Sequence, residues 1–409
     1  MRILFLTQWF DPEPTFKGLL FARKLHELGY EVEVVTGFPN YPGGKLYPGY
    51  RQRWCSREII NGVTVVRVPL YPSHDDSPVN RVLNYFSFAL SSCIYGIIFA
   101  KKADVIYVYH PPMTMGLSGA LIGLFRNTPF VYDVQDLWPE TLRATGMVSN
   151  PFILKWVAVI CNWIYRQASH IVVLSHGFRD ALMGREVDEK KISVIYNWCD
   201  EAALRLPETT SINLDCMEGR FNVVFAGTMG KAQALSAVIH AARLVGLKNA
   251  NVQFVFVGGG VEVEPLKALV NSLSLNNVRF LPRMPMNEVG MVLARAGALL
   301  VHLKDDPLFA ITIPSKTQAY LAVGKPIIMG VRGDAAKLIN NSGAGVAVEP
   351  ENPESIAEGV LNIANLSADA KRVMCEKALE FYAQKMSLST GAFRFDAIFK
   401  QVIANGKCE

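Results

Sequence analysis

The sequence predicts an α/β protein with two domains, each built on a largely parallel β-sheet. Its 409 residues exceed what one ordinary hydrophobic core accommodates. Short apolar segments typical of buried strands alternate with segments of helical periodicity, which is the pattern of β–α–β units. This alternation stops in a polar stretch over residues 201–218 and then restarts, so we predict a domain boundary there.

The first half of the chain reads as a doubly wound sheet. A helix over Gly18–Leu28 separates the first two strands, and later strands are spaced by further helical segments. We expect a long irregular loop over residues 38–62, rich first in proline and glycine and then in basic and aromatic residues. The predicted strands are Arg2–Thr7, Tyr30–Thr36, Asp104–His110, Pro129–Asp133, His170–Leu174 and Ile192–Tyr196.

Two segments of this half are unusually apolar for surface helices. Val82–Ala100 contains no charged residue, and Asn150–Gln167 is rich in aromatic and aliphatic side chains. We expect a long helix lying in the domain with one face on a bilayer, rather than a membrane-spanning segment. The basic and aromatic loop has two interpretations that stay open: contact with anionic lipid or a phosphate-bearing substrate, and an ordinary solvated loop.

The second half repeats the alternation with glycine-rich turns at its strand ends. Gly227-Thr228-Met229-Gly230 follows the first strand of this half, and the second strand ends in VGGG, residues 257–260. Strands are predicted around FNVVFAG, VQFVFVGGG, VRFLPRM, ALLVHL, PIIMGV and AGVAV. The aromatic-rich tail, residues 381–403, is predicted to be helical and to dock on another surface.

Several classes of protein are disfavoured by composition. A net charge of +5 is too small for a nucleic-acid-binding surface unless it is concentrated. The seven cysteines are scattered without a C-x-x-C pair, which predicts a reduced, cytosolic protein without a zinc site or disulfide framework. MRILFLTQWF lacks the features of a signal peptide and reads as a buried strand. Since no acidic cluster has metal-ligand spacing, we expect no metal and no cofactor.

Candidate functional residues lie where strands end, which is the edge at which open α/β sheets bind ligands. In the first half the candidates are His110, Asp136 and the loop carboxylates Asp11 and Glu13. Asp136 is the first choice for a general base, if the reaction needs one. The structural alternatives are solvated loop carboxylates and, for Asp136, a helix N-cap.

In the second half, glycines would let backbone N–H groups approach a diphosphate, and lysine or arginine would stabilise its charge. Within residues 305–328, Pro314-Ser315-Lys316 opens a predicted helix that Gly324 ends, and such a helix start binds anions readily. An ordinary αβ turn is the structural alternative. The candidate residues here are Gly227, Thr228, Gly230, Lys231, Gly258, Gly259, Arg283, Ser315, Lys316 and Gln318.

A family resemblance rests on several motifs that occur in order across about 320 residues: QWFDPEP, YHPP, YDVQDLWPE, IYNWCD, FAGTMGKAQAL and PSKTQAYLAVGKPI. Together they resemble the nucleotide-sugar glycosyltransferases of the GT-B fold, of the family 4-like kind. Within these, the chain is similar to the bacterial O-antigen and capsule branch, and in particular to transferases of N-acetyl-L-fucosamine.

The resemblance implies two facing Rossmann-like domains. Residues 1–203 would bind the acceptor, residues 204–220 would link the domains, and residues 221–385 would bind a UDP-sugar. Residues 386–409 would form a C-terminal helix that crosses back to the N-terminal domain. Gly227–Gly230 would face the diphosphate, Lys316 would reach toward it, and Gln318 would bind the ribose.

The chain departs from the family pattern at three positions. Ala310 and Gln318 stand where the family usually carries two glutamates, and Thr228 stands where it has an arginine. A glutamine can still bond ribose hydroxyls, whereas Ala310 offers the donor sugar no polar side chain. Lys231, Arg283 and Lys316 are left to supply the positive charge.

Three functions are compatible with these features. The first is a bacterial transferase that moves a sugar from UDP to a polyprenyl-diphosphate-linked saccharide, bound peripherally to the cytoplasmic face of the membrane in lipopolysaccharide synthesis. The others are a UDP-sugar 2-epimerase of the same fold and a nucleotide-binding scaffold with weakened catalysis. A retaining transferase would rely on the donor phosphate, whereas an inverting one needs a general base.

Overall fold

The computed structural model describes residues 1–73, 77–144, 147–148, 150–204 and 214–406. The chain divides into two compact units. Unit 1 comprises Met1–Tyr196 and the chain from Leu388 onward, and unit 2 comprises Asn197–Ser387. Of the linker predicted over residues 204–220, residues 205–213 lie outside the described part of the chain.

Unit 1 is built on an eight-stranded sheet in the order β3-β4-β2-β1-β5-β6-β7-β8. All neighbouring strands are parallel except β3 and β4. The strands are β1 Arg2–Leu6, β2 Glu31–Gly37, β3 Ser56–Ile60, β4 Val63–Val68, β5 Val105–Tyr109, β6 Phe130–Val134, β7 His170–Val173 and β8 Ile192–Val194. The helices are α1 Leu19–Glu27, α2 Pro78–Ile94, α3 Thr114–Arg126, α4 Glu140–Ala144, α5 Pro151–Gln167 and α6 His176–Met183.

The antiparallel pair β3–β4 is a hairpin at the edge of this sheet, and the prediction of an irregular loop over residues 38–62 is wrong for its last part. The two strands are joined by Asn61-Gly62, both with positive φ (50° and 83°). Such a pair suits a two-residue hairpin turn whose twist matches the flanking strands. The loop itself ends before Ser56.

The two apolar segments form the predicted helices. Asn150 caps α5 by accepting hydrogen bonds from the backbone N–H groups of Phe152 (2.9 Å) and Ile153 (3.4 Å). α2 continues into a π-helical turn, Tyr95–Phe99, and packs against α3. By length and composition alone, Val79–Phe99 could cross a membrane, and 39% of the apolar window is buried inside the protein.

Unit 2 is built on a six-stranded parallel sheet in the order β11-β10-β9-β12-β13-β14. Strands of this kind are buried on both faces, as the apolar sequences predict. The strands are β9 Phe221–Ala226, β10 Val252–Val257, β11 Val278–Leu281, β12 Ala298–His302, β13 Ile327–Gly330 and β14 Gly345–Ala347. The helices are α7 Leu235–Lys248, α8 Val263–Ser272, α9 Met286–Ala294, α10 Pro307–Ala310, α11 Lys316–Val323, α12 Asp334–Ser342, α13 Pro353–Ala364 and α14 Ala368–Phe381.

The tail contains two helices where the sequence predicted one. α14 runs on into a π-helical turn, Tyr382–Met386, and the extended backbone of Ser387 (ψ 151°) separates it from α15, Leu388–Asn405. α15 belongs to unit 1. Its Phe395 and Phe399 pack on the ring of Tyr107 at centroid distances of 5.3 and 5.7 Å.

Candidate functional site

Two glycine-rich turns adjoin each other at the carboxyl edge of the unit 2 sheet. Gly227 follows β9 with φ +135°, and Gly258 and Gly260 follow β10 with φ +136° and +147°. A Cβ atom on Gly258 would lie 2.1 Å from the carbonyl oxygen of Gly227, and one on Gly260 would lie 2.2 Å from that of Met229. The positive φ and the close backbone approach both require glycine here.

The remaining predicted residues of these turns are held mainly by backbone bonds. Gly259 accepts a hydrogen bond from the Met229 N–H (2.8 Å), and the Gly230 N–H donates to the Gln233 side chain (2.9 Å). Thr228 and Lys231 are exposed on the first turn. Arg283 is also exposed, two residues beyond the end of β11, and therefore at the same edge of the sheet.

Lys316 brings a cation to the first glycine turn. Its Nζ is buried without a hydrogen-bond partner among the described residues, and it lies 3.4 Å from the centroid of the Phe225 ring. A Cβ atom placed on Gly227 would be 3.3 Å from this Nζ. Burial lowers the pKa of Lys316 to about 7. A buried ammonium group without a hydrogen-bond partner is suited to bind an anionic ligand.

The start of α11 differs in detail from the prediction. Ser315 is exposed and its side chain makes no capping bond, whereas the Thr317 N–H in the first turn donates to the Pro314 carbonyl (2.9 Å). Gln318 is buried, and its amide faces the carbonyl oxygens of Pro314 (3.2 Å) and Ser315 (2.5 Å), to which its nitrogen can donate. These contacts bind Gln318 to its own turn. Ala310 lies on α10 and packs by its carbonyl oxygen against Gly333.

His302, which the sequence analysis did not select, links the segment after the first glycine turn to the segment around Glu351. It is the last residue of β12 and fully buried. Its Nε2 accepts a hydrogen bond from the Glu351 N–H (3.0 Å), so Nδ1 carries the proton and donates to the Gln233 carbonyl (2.7 Å). Burial lowers the pKa of His302, and the charge of Lys316 lowers it further. This neutral imidazole supports the turn that faces Lys316.

In unit 1, Asp136 and His110 lie together at the carboxyl edge of the sheet. The Asp136 N–H donates to His110 Nδ1 (3.3 Å), which leaves the imidazole proton on Nε2. Burial lowers the pKa of His110 to about 3 and raises that of Asp136 to about 6. No described residue donates a hydrogen bond to the Asp136 carboxylate. A carboxylate with a pKa close to neutrality can act as a general base.

The loop carboxylates Asp11 and Glu13 are engaged in local structure. Glu13 is buried and accepts backbone hydrogen bonds from Asn40 (2.7 Å), Tyr41 (2.8 Å) and Phe10 (3.3 Å). It therefore joins the loops that follow β1 and β2. Asp11 accepts a hydrogen bond from the Leu19 N–H (2.6 Å) at the start of α1. Both occupy the predicted edge, but their oxygens already face backbone donors.

A buried ion pair near this edge also escaped sequence reasoning. Lys17 Nζ lies 2.5 Å from Asp133 Oδ2, and both side chains are fully buried. The Tyr107 hydroxyl donates to the same Asp133 oxygen (2.6 Å). Asp133 is the last residue of the strand predicted over Pro129–Asp133, but its partner is 116 residues away in sequence and carries no local signal. The pair fixes the loop after β1 to β6.

The two edges therefore supply different chemistry: glycine turns with a cation in unit 2, and a desolvated carboxylate with a neutral imidazole in unit 1. Within the described residues, no group of three or more His, Cys, Asp or Glu side chains could hold a metal ion.

Comparison with known proteins identifies the class that this architecture defines. The chain is a glycosyltransferase of the GT-B fold. Residues 19–198 match the Glycosyl transferase 4-like domain, and residues 213–380 match Glycosyl transferases group 1. The predicted resemblance to this class is confirmed, and the narrower resemblance to N-acetyl-L-fucosamine transferases stays a prediction.

Named relatives agree with this class. Escherichia coli WcaI, provisionally named a colanic acid biosynthesis glycosyl transferase, is 25% identical over 88% of this chain and 91% of its own. Anabaena HepE, solved with UDP and glucose, is similar in fold with a TM-score of 0.68 and 16% identity, covering 97% of this chain and 99% of that one. Sucrose-phosphate synthase from Thermosynechococcus elongatus has a TM-score of 0.70 and 15% identity, covering 99% of each chain.

Proposed function

We propose that this glycosyltransferase moves an amino sugar, with N-acetyl-L-fucosamine as the first candidate, from UDP to a saccharide on polyprenyl diphosphate. The product would enter O-antigen or capsule polysaccharide. The observation that carries the proposal is the buried, unpartnered Lys316 ammonium beside the Gly227 turn. A diphosphate is the anion that such a turn and cation together accommodate best.

The donor part of the proposal is supported by the solved relative from Anabaena, which binds UDP and UDP-glucose. In this chain Lys316, Lys231 and Arg283 would neutralise the diphosphate charge. The N–H groups of Thr228, Gly259 and Gly260, which donate to no described residue, would serve as backbone hydrogen-bond donors. Thr228 and Ser315 would add hydroxyl groups at the same edge. The proposal includes no resident metal and no organic cofactor.

The acceptor part is supported by apolar side chains that unit 1 exposes on neighbouring helices. α3 packs against both α2 and α5, so the three helices present their outer faces on one side of the sheet. Exposed lysines at 101, 102 and 155 accompany these faces and suit anionic lipid. We propose that this surface holds the protein peripherally on the cytoplasmic face of the membrane. Its exposed apolar residues include Val82, Leu83, Phe86, Leu90, Phe125, Phe152, Ile153 and Trp156.

A donor screen tests the proposed reaction. The purified protein is incubated with a panel of UDP-sugars and polyprenyl-diphosphate-linked N-acetylglucosamine, and products are read by mass spectrometry. We expect the acceptor to gain one sugar and UDP to be released. No product with any donor, together with no UDP binding, would refute the proposal. Deuterium incorporation into the donor sugar without acceptor would instead identify a UDP-sugar 2-epimerase.

Membrane contact is tested separately by flotation with liposomes containing anionic lipid. The wild type is expected to float with the vesicles, whereas a variant with Val82, Phe86 and Trp156 changed to glutamate should stay in the aqueous fraction. Because these side chains are exposed, the variant should keep its fold and its affinity for UDP. Equal flotation of both proteins would contradict the proposed surface.

A further inference from the structure

Aromatic rings border the Asp136 carboxylate in unit 1. Tyr85 projects from α2 and Trp138 follows β6, and their ring centroids are 6.5 Å apart at an interplanar angle of 59°. Trp138 also lies edge-on to His110, at 6.2 Å and 85°. Asp136 is close enough to Tyr85 for its charge to raise the pKa of the Tyr85 hydroxyl, although burial raises it more. Asp136 therefore lies close to a wall of aromatic rings.

A second pair of rings extends this wall. Trp9, after β1, and Tyr41, after β2, are stacked with centroids 4.5 Å apart and planes at 27°. Tyr41 is also an electrostatic neighbour of the Tyr85 hydroxyl. Both rings of the pair are partly exposed. Four separate segments, three loops and one helix, thus bring half-buried aromatic side chains to the edge where Asp136 lies.

A buried chain of amides fixes α2 behind this wall. The Gln8 amide donates to Asn84 Oδ1 (2.6 Å), and Asn84 Nδ2 donates to the Tyr71 carbonyl (2.7 Å) and to Asn40 Oδ1 (3.4 Å). Gln8 is fully buried, yet its Oε1 has no partner among the described residues. Since a buried amide oxygen is costly to leave unpaired, Gln8 Oε1 can accept a hydrogen bond from a buried water.

α2 separates two environments. Its Asn84 and Phe88 are buried against unit 1, whereas Val82 and Phe86 are 49% and 50% exposed in the proposed membrane surface. At 100° per residue, Tyr85 falls at the boundary between these two faces. The helix therefore presents its aromatic ring to the Asp136 side and its apolar side chains outward.

We propose that Tyr85 and Trp138 form the sugar subsite that selects the acceptor. A pyranose ring has an apolar C–H face, which suits aromatic rings, and a rim of hydroxyls, which suits carboxylate and amide groups. The accepting sugar lies against the two rings with its reactive hydroxyl toward Asp136. This inference rests on the proposed transferase function and names the residues that determine acceptor specificity.

Steady-state kinetics with a water-soluble acceptor analogue, a short-chain alkyl diphosphate carrying N-acetylglucosamine, test the subsite without a membrane. Tyr85→Ala and Trp138→Ala are expected to raise the acceptor KM by roughly tenfold or more. Their KM for the UDP-sugar should stay within about twofold of the wild type. Tyr85→Phe keeps the ring and should keep the acceptor KM.

Phe393→Ala, which removes an exposed aromatic ring on α15, is the matched control and should leave all parameters unchanged. An unchanged acceptor KM in both alanine variants would overturn the subsite while leaving the transferase proposal intact. Absence of transfer by the wild type with every donor would instead refute the proposed function. If the alanine variants unfold, as circular dichroism would show, Tyr85→Leu and Trp138→Leu replace them. These two variants remove the ring but keep an apolar side chain, and at unchanged Tm they should raise the acceptor KM as the alanine variants would.

Discussion

The two units carry ionisable groups of opposite charge at the carboxyl edges of their sheets. Unit 2 holds a buried, unpartnered cation, Lys316 Nζ, beside a glycine turn. Unit 1 holds a half-buried carboxylate, Asp136, to which no described residue donates a hydrogen bond, near aromatic rings. Burial moves both pKa values toward neutrality, from opposite sides. The comparison teaches that ionisable groups without partners, rather than all charged groups at an edge, mark the residues available to a ligand.

Other charged groups near the unit 1 edge differ from Asp136 because they have hydrogen-bond or ion-pair partners. Lys17 and Asp133 neutralise each other, and Glu13 faces three backbone N–H groups. These residues hold loops in place, and removal of one partner would leave a buried charge uncompensated. We expect the lone groups to matter for turnover and the satisfied ones for stability.

The largest expected effect is that of Asp136→Asn. If Asp136 is the general base, kcat should fall by roughly 10²- to 10⁴-fold, since the amide cannot accept the proton. In the wild type, kcat/KM should decline as pH falls below about 6, because the base becomes protonated. Rates are measured across pH with saturating donor. The exposed Asp180→Asn on α6 is the control and should behave as the wild type. Retained kcat in Asp136→Asn would indicate a retaining reaction that uses the donor phosphate.

The next effect is on nucleotide binding. Lys316→Met should weaken UDP binding roughly 10- to 100-fold, the range for a hydrogen bond to a charged group, and leave acceptor affinity unchanged. Titration calorimetry with UDP gives the dissociation constant directly. Lys337→Met, at an exposed position of α12, serves as the control. Equal losses of donor and acceptor affinity would contradict the separate roles of the two edges.

A smaller effect, which can be measured on the wild type alone, is the pH dependence of UDP binding. The Lys316 pKa is about 7 in the free protein, and a bound diphosphate would raise it. Above pH 7 binding must therefore take up a proton, and affinity should fall by up to about tenfold per pH unit until the pKa of the complex is reached. Calorimetry in two buffers of different ionisation enthalpy measures this uptake. Lys316→Arg should abolish it, and its persistence there would assign the proton elsewhere.

The smallest expected effect is that of replacing Glu13, whose carboxylate already has hydrogen-bond partners. Glu13→Gln should reduce the free energy of unfolding of unit 1 by about 1 kcal/mol, because one of its backbone hydrogen bonds is lost, while kcat changes little. Denaturant unfolding followed by tryptophan fluorescence gives the stability, and the transferase assay gives kcat. A large loss of kcat at unchanged stability would place Glu13 in the chemistry instead.

Local patterns predicted most strands and helices because their signals are contiguous in sequence. The run VQFVFVGGG specifies both a buried strand and its glycine turn, and Gly324 in the left-handed region ends α11 as predicted. The β3–β4 hairpin has a strong turn signal in Asn61-Gly62, but β3 itself, SREII, is a largely exposed edge strand without a buried apolar run, so its sequence resembles the loop before it.

The site was harder to predict because its decisive properties depend on burial and partners. The sequence around Glu13, whose carboxylate accepts three backbone hydrogen bonds, does not distinguish it from Asp136, whose carboxylate accepts none from the described residues. Gln318 was expected to face a ribose, yet its amide faces the carbonyls of its own helix turn. His302 and Lys17 were not selected because their partners, Glu351 and Asp133, are distant in sequence.

The contact between the two glycine turns of unit 2 restricts the substitutions that either turn can accept. Because Gly258 and Gly260 lie directly against the backbone of Gly227 and Met229, neither turn can change its path without the other. The two turns are therefore expected to mutate as one unit. In a library randomised over both, functional clones should retain glycine at 258 and 260 whichever sugar is selected, and changes in donor preference should arise at exposed positions such as 228 and 231.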